Sequence, residues 1–524
     1  MTDARRLHPS IPALSLITWW IVSAVVFAAR MLNADGDMLR HIRHGTWMLE
    51  HGRLITQDPF SFTRGGEPFV AFEYGSQLFY ALVYRFGGIV AVAAAAGILI
   101  AASYALLARF LLRRGADPLL TYLVTVVAAV LGAVHWVPRP HLFTLLFVTL
   151  LLHLLEPGPE GDERPPARTG LAAALLFAVW ANLHGGFVLG LILVGGYWAG
   201  SVLEWLTSPG DRPLWRRRII GYLVIGVAGG VATLLTPHGI KLHLHVVALL
   251  QDTYLLAHTQ EFVSPDFHST VGKLFLCGLL LLMAGLAIVP ARPDWRRLLV
   301  ILVMSAFALN ARRNIQLFGL VAYALLALHV SPWWRRLPDW RGIRAVFERD
   351  ARSGRTAPYV GLVVLAALVL GLARGRVGGV QVIPDGVSPA EFPVDVVRQA
   401  RADGATGRMF HDFVWGGYLL HAWPEQKVFI DGGTDFYGDE LMYTYINTSE
   451  LGGGWRDSLA SWDISQVLMP TGAGLLLTLA TQDGWAIRYC DATATLLERP
   501  AGEPAAAASV EQLRACRERP VGIP

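Results

Sequence analysis

Two carboxylates follow the first apolar stretch of this chain almost at once. The stretch runs from Ala13 to Leu32, and Asp35-Gly36-Asp37 follows after Asn33-Ala34. A helix is expected from there to about Glu50. On it Asp37, His41 and His44 recur at i, i+4 and i+7, so they share one face. A carboxylate with imidazoles on one stripe could hold a divalent metal or take a proton as general base. The plainer reading is the solvated face of a helix lying at a membrane surface. Asp37 opens the polar stripe and is the catalytic candidate. Asp35 is the reserve, since it could instead cap the helix.

Further polar residues gather at similar points along the chain. Asp58-Pro59 reads as a turn. Glu73 opens a second short helix to Phe86, where a helix-terminal charge is the plainer role. Arg139, Arg312 and Arg313 stand at the ends of apolar stretches, and arginine suits bidentate capture of phosphate. The competing reading for each is a lipid headgroup contact or an ion pair to a loop carboxylate. His141, His184 and His238 sit at comparable positions, and Asn182 opens the segment Asn182-Leu183-His184-Gly185-Gly186. Taken singly, each histidine is more often structural. Three at one depth point to a shared cavity, and the set Asp35, Asp37, Glu73, Arg139, His141, His184, His238 and Arg312 is expected to face it.

The elements that must position these residues are membrane spans. The 524 residues are 54% hydrophobic and only 16% charged, whereas soluble domains are nearer one quarter charged. Eleven spans are expected, near 13–32, 88–112, 118–136, 140–156, 170–183, 186–206, 219–236, 270–290, 297–310, 314–330 and 358–374, the first as an uncleaved signal anchor. With the N-terminus inside, the inside segments hold 21 basic residues and the outside loops 9. That orientation puts the long loop 33–87 outside, together with everything from about Gly375 onward. From Arg376 the chain carries 11 basic and 19 acidic residues, so the membrane part holds the positive excess. This is the pattern of basic cytoplasmic loops, not of a nucleic-acid binder.

Residues 1–374 thus form a transmembrane domain and 375–500 an extracytoplasmic α/β domain. In the latter, Arg408–His411, Lys427–Ile430, Gln466–Met469 and Ala486–Tyr489 are strand-like. Phe413–Ala422, Asp439–Ile446, Trp455–Trp462 and Gly472–Thr481 are helix-like. Residues 501–524 are Ala- and charge-rich and expected to be frayed. The three cysteines match no metal or redox spacing. Cys490 and Cys516 could pair outside the cell.

The order of these features resembles the GT-C class of membrane glycosyltransferases. That class includes protein O-mannosyltransferases, the aminoarabinose transferase of lipid A and the catalytic subunit of oligosaccharyltransferases. The resemblance rests on Asp35 and Asp37 after the first span, on a long first outer loop with two juxtamembrane helices, and on a soluble tail. It is closer to a mostly unassigned bacterial branch. Shared segments are Asp37 to Gly45, Asp58-Pro59-Phe60-Ser61, Arg139-Pro140-His141, Asn182 to Gly186, Ser264-Pro265-Asp266-Phe267-His268 and Arg312-Arg313-Asn314. Met38-Leu39 depart from that branch, which is usually rich in Trp there. Asp412 to Tyr418 faintly resembles the Trp-Asp-Tyr-Gly element of oligosaccharyltransferases, but in another order, so no acceptor-reading role is transferred.

The resemblance implies sugar transfer from a polyprenyl-phosphate donor to a glycan, lipid or protein acceptor on the outer face of a bacterial cytoplasmic membrane. Catalysis would fall to Asp37 or Asp35. Substrate binding would fall to His41, Glu73, Arg139, His141, Asn182, His184, His238, Arg312 and Arg313. A divalent metal, if used, would sit on Asp37, His41 and His44. No Walker loop or dinucleotide fingerprint is present. The alternative is a non-enzymatic polytopic protein, either a lipid or glycan transporter or a scaffold with an exported binding domain.

Overall fold

The computed structural model describes residues 8–34, 36–158, 166–259, 261–339, 342–353, 355–500, 510–519 and 521. The chain divides into two compact units. One comprises Met1–Phe27 with Ala93–Ala373, the other Ala28–Val92 with Arg374–Pro524. The loop that follows the first apolar helix therefore belongs to the same unit as the C-terminal segment.

The first unit is helical. Each of the eleven expected spans overlaps helical structure, the first of them split into Ile11–Ile21, the π-helical turn Val22–Val26 and Ala28–Asn33. Among the described residues five helices are long and apolar enough to cross a membrane: Tyr74–Arg113, Pro118–His135, Phe187–Thr207, Thr270–Ile288 and Arg312–Trp334. Ile11–Val26, His141–Leu155, Ala167–Leu183 and Ala357–Leu372 are apolar but shorter. Arg212–Ala232 and Trp295–Asn310 complete the set. One further apolar helix, Ile240–Gln251, was not expected and lies in a predicted outer loop. Helices suit apolar surroundings because every backbone group is satisfied within the segment. Their starts are written locally. The side chains of Ser10, Asp117, Ser269 and Asp294 accept from backbone N–H groups of the first turn that follows each. Ile315–Trp334 is the central helix, buried along nearly its whole length. Leu171, Leu175, Val227, Val231, Leu280 and Met283 are exposed, as lipid-facing side chains should be. Glycine lets backbones approach: a Cβ on Gly200 would lie 2.4 Å from the Arg296 Cα.

In the second unit the helix Asp37–His51 is followed by the loop to Glu73 and then by the start of Tyr74–Arg113. That long helix breaks at Gly87–Gly88, where Gly88 has φ 63° and ψ −156°. The break separates the expected juxtamembrane helix from the expected second span, and only glycine adopts such a conformation without strain.

The C-terminal part of this unit carries a four-stranded sheet in the order Arg408–His411, Ile464–Pro470, Ala494–Glu498, Ala486–Cys490. The first pair is parallel, with Phe410 opposite Val467. The others are antiparallel, with Leu468 opposite Leu496. The strand Ala494–Glu498 and the helix Val394–Ala402 escaped the sequence reading. Lys427–Ile430, expected to be strand-like, is not a strand of this sheet. Its backbone pairs instead with the first loop, Val428 N donating to Phe60 O at 3.1 Å and Phe62 N to Val428 O at 3.1 Å. The tail also differs from expectation. Val510–Glu518 is helical and is fastened by a Cys490–Cys516 disulfide.

Candidate active site

The sequence-predicted residues fall into two groups, one in each unit. In the second unit, Asp37 occupies the first turn of the Asp37–His51 helix, where the helix dipole favours a carboxylate. Arg40, one turn on, is 9% exposed and lies between two carboxylates. Its Nε is 3.8 Å from Asp37 Oδ1 and 4.0 Å from Asp431 Oδ1. Asp431 comes from the C-terminal segment. It accepts from Gly433 N at 2.7 Å and from the Tyr437 hydroxyl at 3.1 Å. Burial pushes its carboxyl up to about 6, against the pull of Arg40 and the Gly433 N–H. Gly432 closes against Asp37 so tightly that a Cβ there would lie 1.6 Å from Asp37 Oδ1.

His41 is buried and faces the second helix. Its Nδ1 is 3.9 Å from Glu73 Oε2 and 3.5 Å from Gln77 Nε2. The close approach of the two helices depends on Gly45, where a Cβ would lie 2.0 Å from Gln77 O. His44 points elsewhere, stacked on Phe60 at 4.5 Å with the Phe69 edge at 5.7 Å. Burial, with Arg40 and Arg43 nearby, holds its pKa well below the usual imidazole range, so the ring is neutral. The expected metal stripe of Asp37, His41 and His44 is therefore not assembled, because a shared helix face did not give the three side chains shared neighbours. Among the described residues no group of three or more His, Cys, Asp or Glu is placed to hold a metal ion. Asp58 is a turn residue, as expected, accepting from Phe60 N, Ser61 N and Ser61 Oγ. Asp35 lies outside the described residues.

The first unit holds the cationic group. Arg139 Nη1 donates to Glu261 Oε1 at 2.5 Å. The Arg313 backbone N–H donates to Glu261 O at 3.1 Å and that of Arg312 to Val263 O at 3.0 Å. The Arg313 guanidinium lies 4.6 Å from the centre of the Phe262 ring. Burial alone would raise the Glu261 carboxyl, but Arg139 and Arg313 outweigh it and hold the group below its ordinary value. His141 Nε2 donates to His135 O at 2.9 Å, and the two rings are 4.2 Å apart. His184 Nδ1 accepts from Gly186 N at 3.1 Å and meets Thr144 Oγ1 at 2.7 Å, while Trp180 Nε1 donates to the same hydroxyl at 2.8 Å. The neutral ring therefore carries its proton on Nε2. The charges of Arg139, Arg312 and Arg313 all act on His135. Asn182 is committed to backbone, donating to Ala178 O and Leu235 O. His238 sits in the turn before Ile240–Gln251.

The sequence reading missed Arg40, Asp431, Gly432, Tyr437 and His135; the ion pair to a loop carboxylate that it offered for Arg139 is present, with Glu261 as the partner. Arg40 had a signal, an i, i+3 spacing from Asp37. Asp431-Gly432-Gly433 carries no comparable local signal.

The sequence matches no known protein family, and no curated protein matches it either. Solved structures do. The oligosaccharyltransferase AglB of Archaeoglobus fulgidus, in complex with an inhibitory peptide and a dolichol-phosphate, is similar with a TM-score of 0.54 at 11% identity, over 90% of this chain and 69% of its own. The apo form of an oligosaccharyltransferase from the same organism gives 0.52 at 12%, over 94% and 74%. ArnT of Cupriavidus metallidurans, bound to undecaprenyl phosphate, gives 0.50 at 13%, over 94% and 98%. The chain has the fold of the GT-C membrane glycosyltransferases.

Proposed function

We propose that this chain moves a sugar from a polyprenyl-phosphate donor to a hydroxyl-bearing acceptor on the outer face of a bacterial cytoplasmic membrane. The observation that carries the reading is the meeting of Arg139 with the Arg312–Arg313 segment, far apart in sequence: Arg139 pairs with the Glu261 carboxylate, the Arg313 charge also acts on it, and the backbone N–H groups of Arg313 and Arg312 donate to Glu261 O and Val263 O. The surplus of positive charge suits a phosphate. The neighbours AglB and ArnT, solved with a dolichol-phosphate and with undecaprenyl phosphate, support a lipid-linked donor.

The reaction assigns Asp37 the proton of the acceptor hydroxyl. The freed oxygen bonds the anomeric carbon of the sugar, and the bond from that carbon to the phosphate oxygen breaks. The polyprenyl phosphate leaves with the electron pair, and its added negative charge is of the kind that a cationic group stabilises. Asp37, His41 and His44 do not form one ligand set, so no step is assigned to a metal. Orientation rests on the basic-residue bias. The disulfide supports it, since such bonds persist in oxidising compartments.

The test is release of undecaprenyl phosphate by the full-length protein in lipid nanodiscs, supplied with a panel of undecaprenyl-phosphate hexoses and a membrane glycan or lipid extract as acceptor. Turnover is expected, with Arg139→Ala raising the donor KM. A wild-type protein that binds these donors but turns over none would replace the enzyme reading with the transporter or scaffold reading.

A further inference from the structure

We infer that Asp431, contributed by the C-terminal segment, is a positioning residue that acts through Arg40 and beside Gly432 to set where the Asp37 carboxylate stands. The inference rests on the glycosyltransferase reading above.

Arg40 carries the link. Its guanidinium is buried, its Nε has no hydrogen-bond partner among the described residues, and two carboxylates lie 3.8 and 4.0 Å from that atom. Such a group is held by the two charges together, so removing either one moves it toward the other. Asp37, Asp431, Glu73 and Asp435 all act on it electrostatically. Asp431 cannot follow a shift, because Gly433 N and the Tyr437 hydroxyl hold both of its oxygens. The backbone at Gly432 then forms a wall against Asp37 Oδ1.

Two further glycines bring these pieces together. A Cβ on Gly417 would lie 2.1 Å from Gly36 O, and one on Gly416 would lie 2.8 Å from Asp431 Cα. The short helix Gly416–Ala422 therefore touches both the residue before Asp37 and the backbone of Asp431. Burial disfavours the charge on Asp431. A carboxylate kept charged and hydrogen-bonded against that cost, next to a candidate base, is better explained by function than by fold.

The experiment uses the full-length protein in nanodiscs, with the same panel of undecaprenyl-phosphate hexoses. Asp431→Asn is expected to lower kcat about 10- to 100-fold, less than the roughly 10²–10⁴-fold of general-base assistance itself, while the donor KM changes little. Its unfolding temperature at pH 8 should not fall, which separates positioning from simple support of the fold. Asp431→Glu should recover part of kcat. In an Asp37→Asn background, Asp431→Asn should cost nothing more, since the two act as one unit. An unchanged kcat, a loss that multiplies with Asp37→Asn, or a large drop in unfolding temperature would overturn the inference.

A second cycle needs no substrate. Gly432→Ala should lower the unfolding temperature, and Asp37→Ala should restore it, because the clash is with that carboxylate. If Asp37→Ala gives no relief, the contact does not exist and the inference fails. A wild type that turns over no donor overturns the glycosyltransferase reading instead, so the two failures are distinguishable.

Discussion

Asp37 and Asp431 are the same side chain in two settings. Asp37 stands at a helix start, where backbone dipoles welcome its charge. The base role proposed for it predicts that Asp37→Asn lowers transfer by about 10²–10⁴-fold without reducing the amount of protein in the membrane. A cap would tolerate Asn, so full activity in that variant would end the assignment. Asp431 is buried, and its folded-state pKa of about 6 lies above the ordinary 3.8. The folded chain therefore holds this proton longer than the unfolded chain. Its contribution to stability is best below about pH 4, is lost as pH rises through 6, and stays lost above that. The shift corresponds to about 3 kcal/mol. Asp431→Asn removes the group that ionises. Its unfolding temperature relative to wild type should rise between pH 4 and 6 and level off above, as thermal scans across that range would show. A difference that does not vary with pH would mean that Asp431 does not titrate as described.

The elements owe their placement to a few backbone approaches. Gly45 seats the Asp37–His51 helix on the start of Tyr74–Arg113 and so brings His41 to Glu73. Gly45→Ala should overpack that contact and cost about 1–3 kcal/mol, read as a lower unfolding temperature. At Gly88 the cause is conformational: its φ of 63° with ψ −156° is a glycine region. Gly88→Ala should cost a similar 1–3 kcal/mol, with no gain in helix content by circular dichroism if the break persists. Much of this level was legible in sequence. The Gly87–Gly88 break fell where the juxtamembrane helix and the second span were divided. The segment Lys427–Ile430 was misread because β-propensity says that a strand will pair but not with what. Its partner, Phe60–Phe62, is more than 350 residues away.

At the scale of the whole molecule, two units are each assembled from separate stretches of chain. The tail closes on itself through Cys490–Cys516, 26 residues apart. Removing this cross-link with Cys516→Ser should cost about 3 kcal/mol by loop closure, measured by thermal unfolding with and without reductant. The free thiols of the reduced protein should react with an impermeant maleimide added to intact spheroplasts. Labelling only after the membrane is opened would reverse the proposed topology. The ion pairs qualify the basic-residue bias that set that topology. Arg297 is bound to the buried Glu156 at 3.0 Å, and Arg296 to Asp294 at 2.9 Å. Part of the positive charge counted on the inner side thus serves helix packing.

What the sequence determined by itself is what repeats or stays local. Apolar runs specify helices because a membrane leaves no other way to satisfy the backbone. Asp117-Pro118 and Asp294 mark helix starts through bonds to residues two or three positions away. Asp37 could be singled out because its neighbours in sequence already set it apart. What only the tertiary structure decided is which side chains share a charge. The i, i+4, i+7 stripe put Asp37, His41 and His44 on one face, yet packing sent them to an arginine, a glutamate and a phenylalanine ring. Conversely, nothing local in Asp431-Gly432-Gly433 reveals that it meets Asp37, nearly 400 residues earlier. Electrostatic and packing energies depend on distance in space, and in this chain that distance is set by the fold.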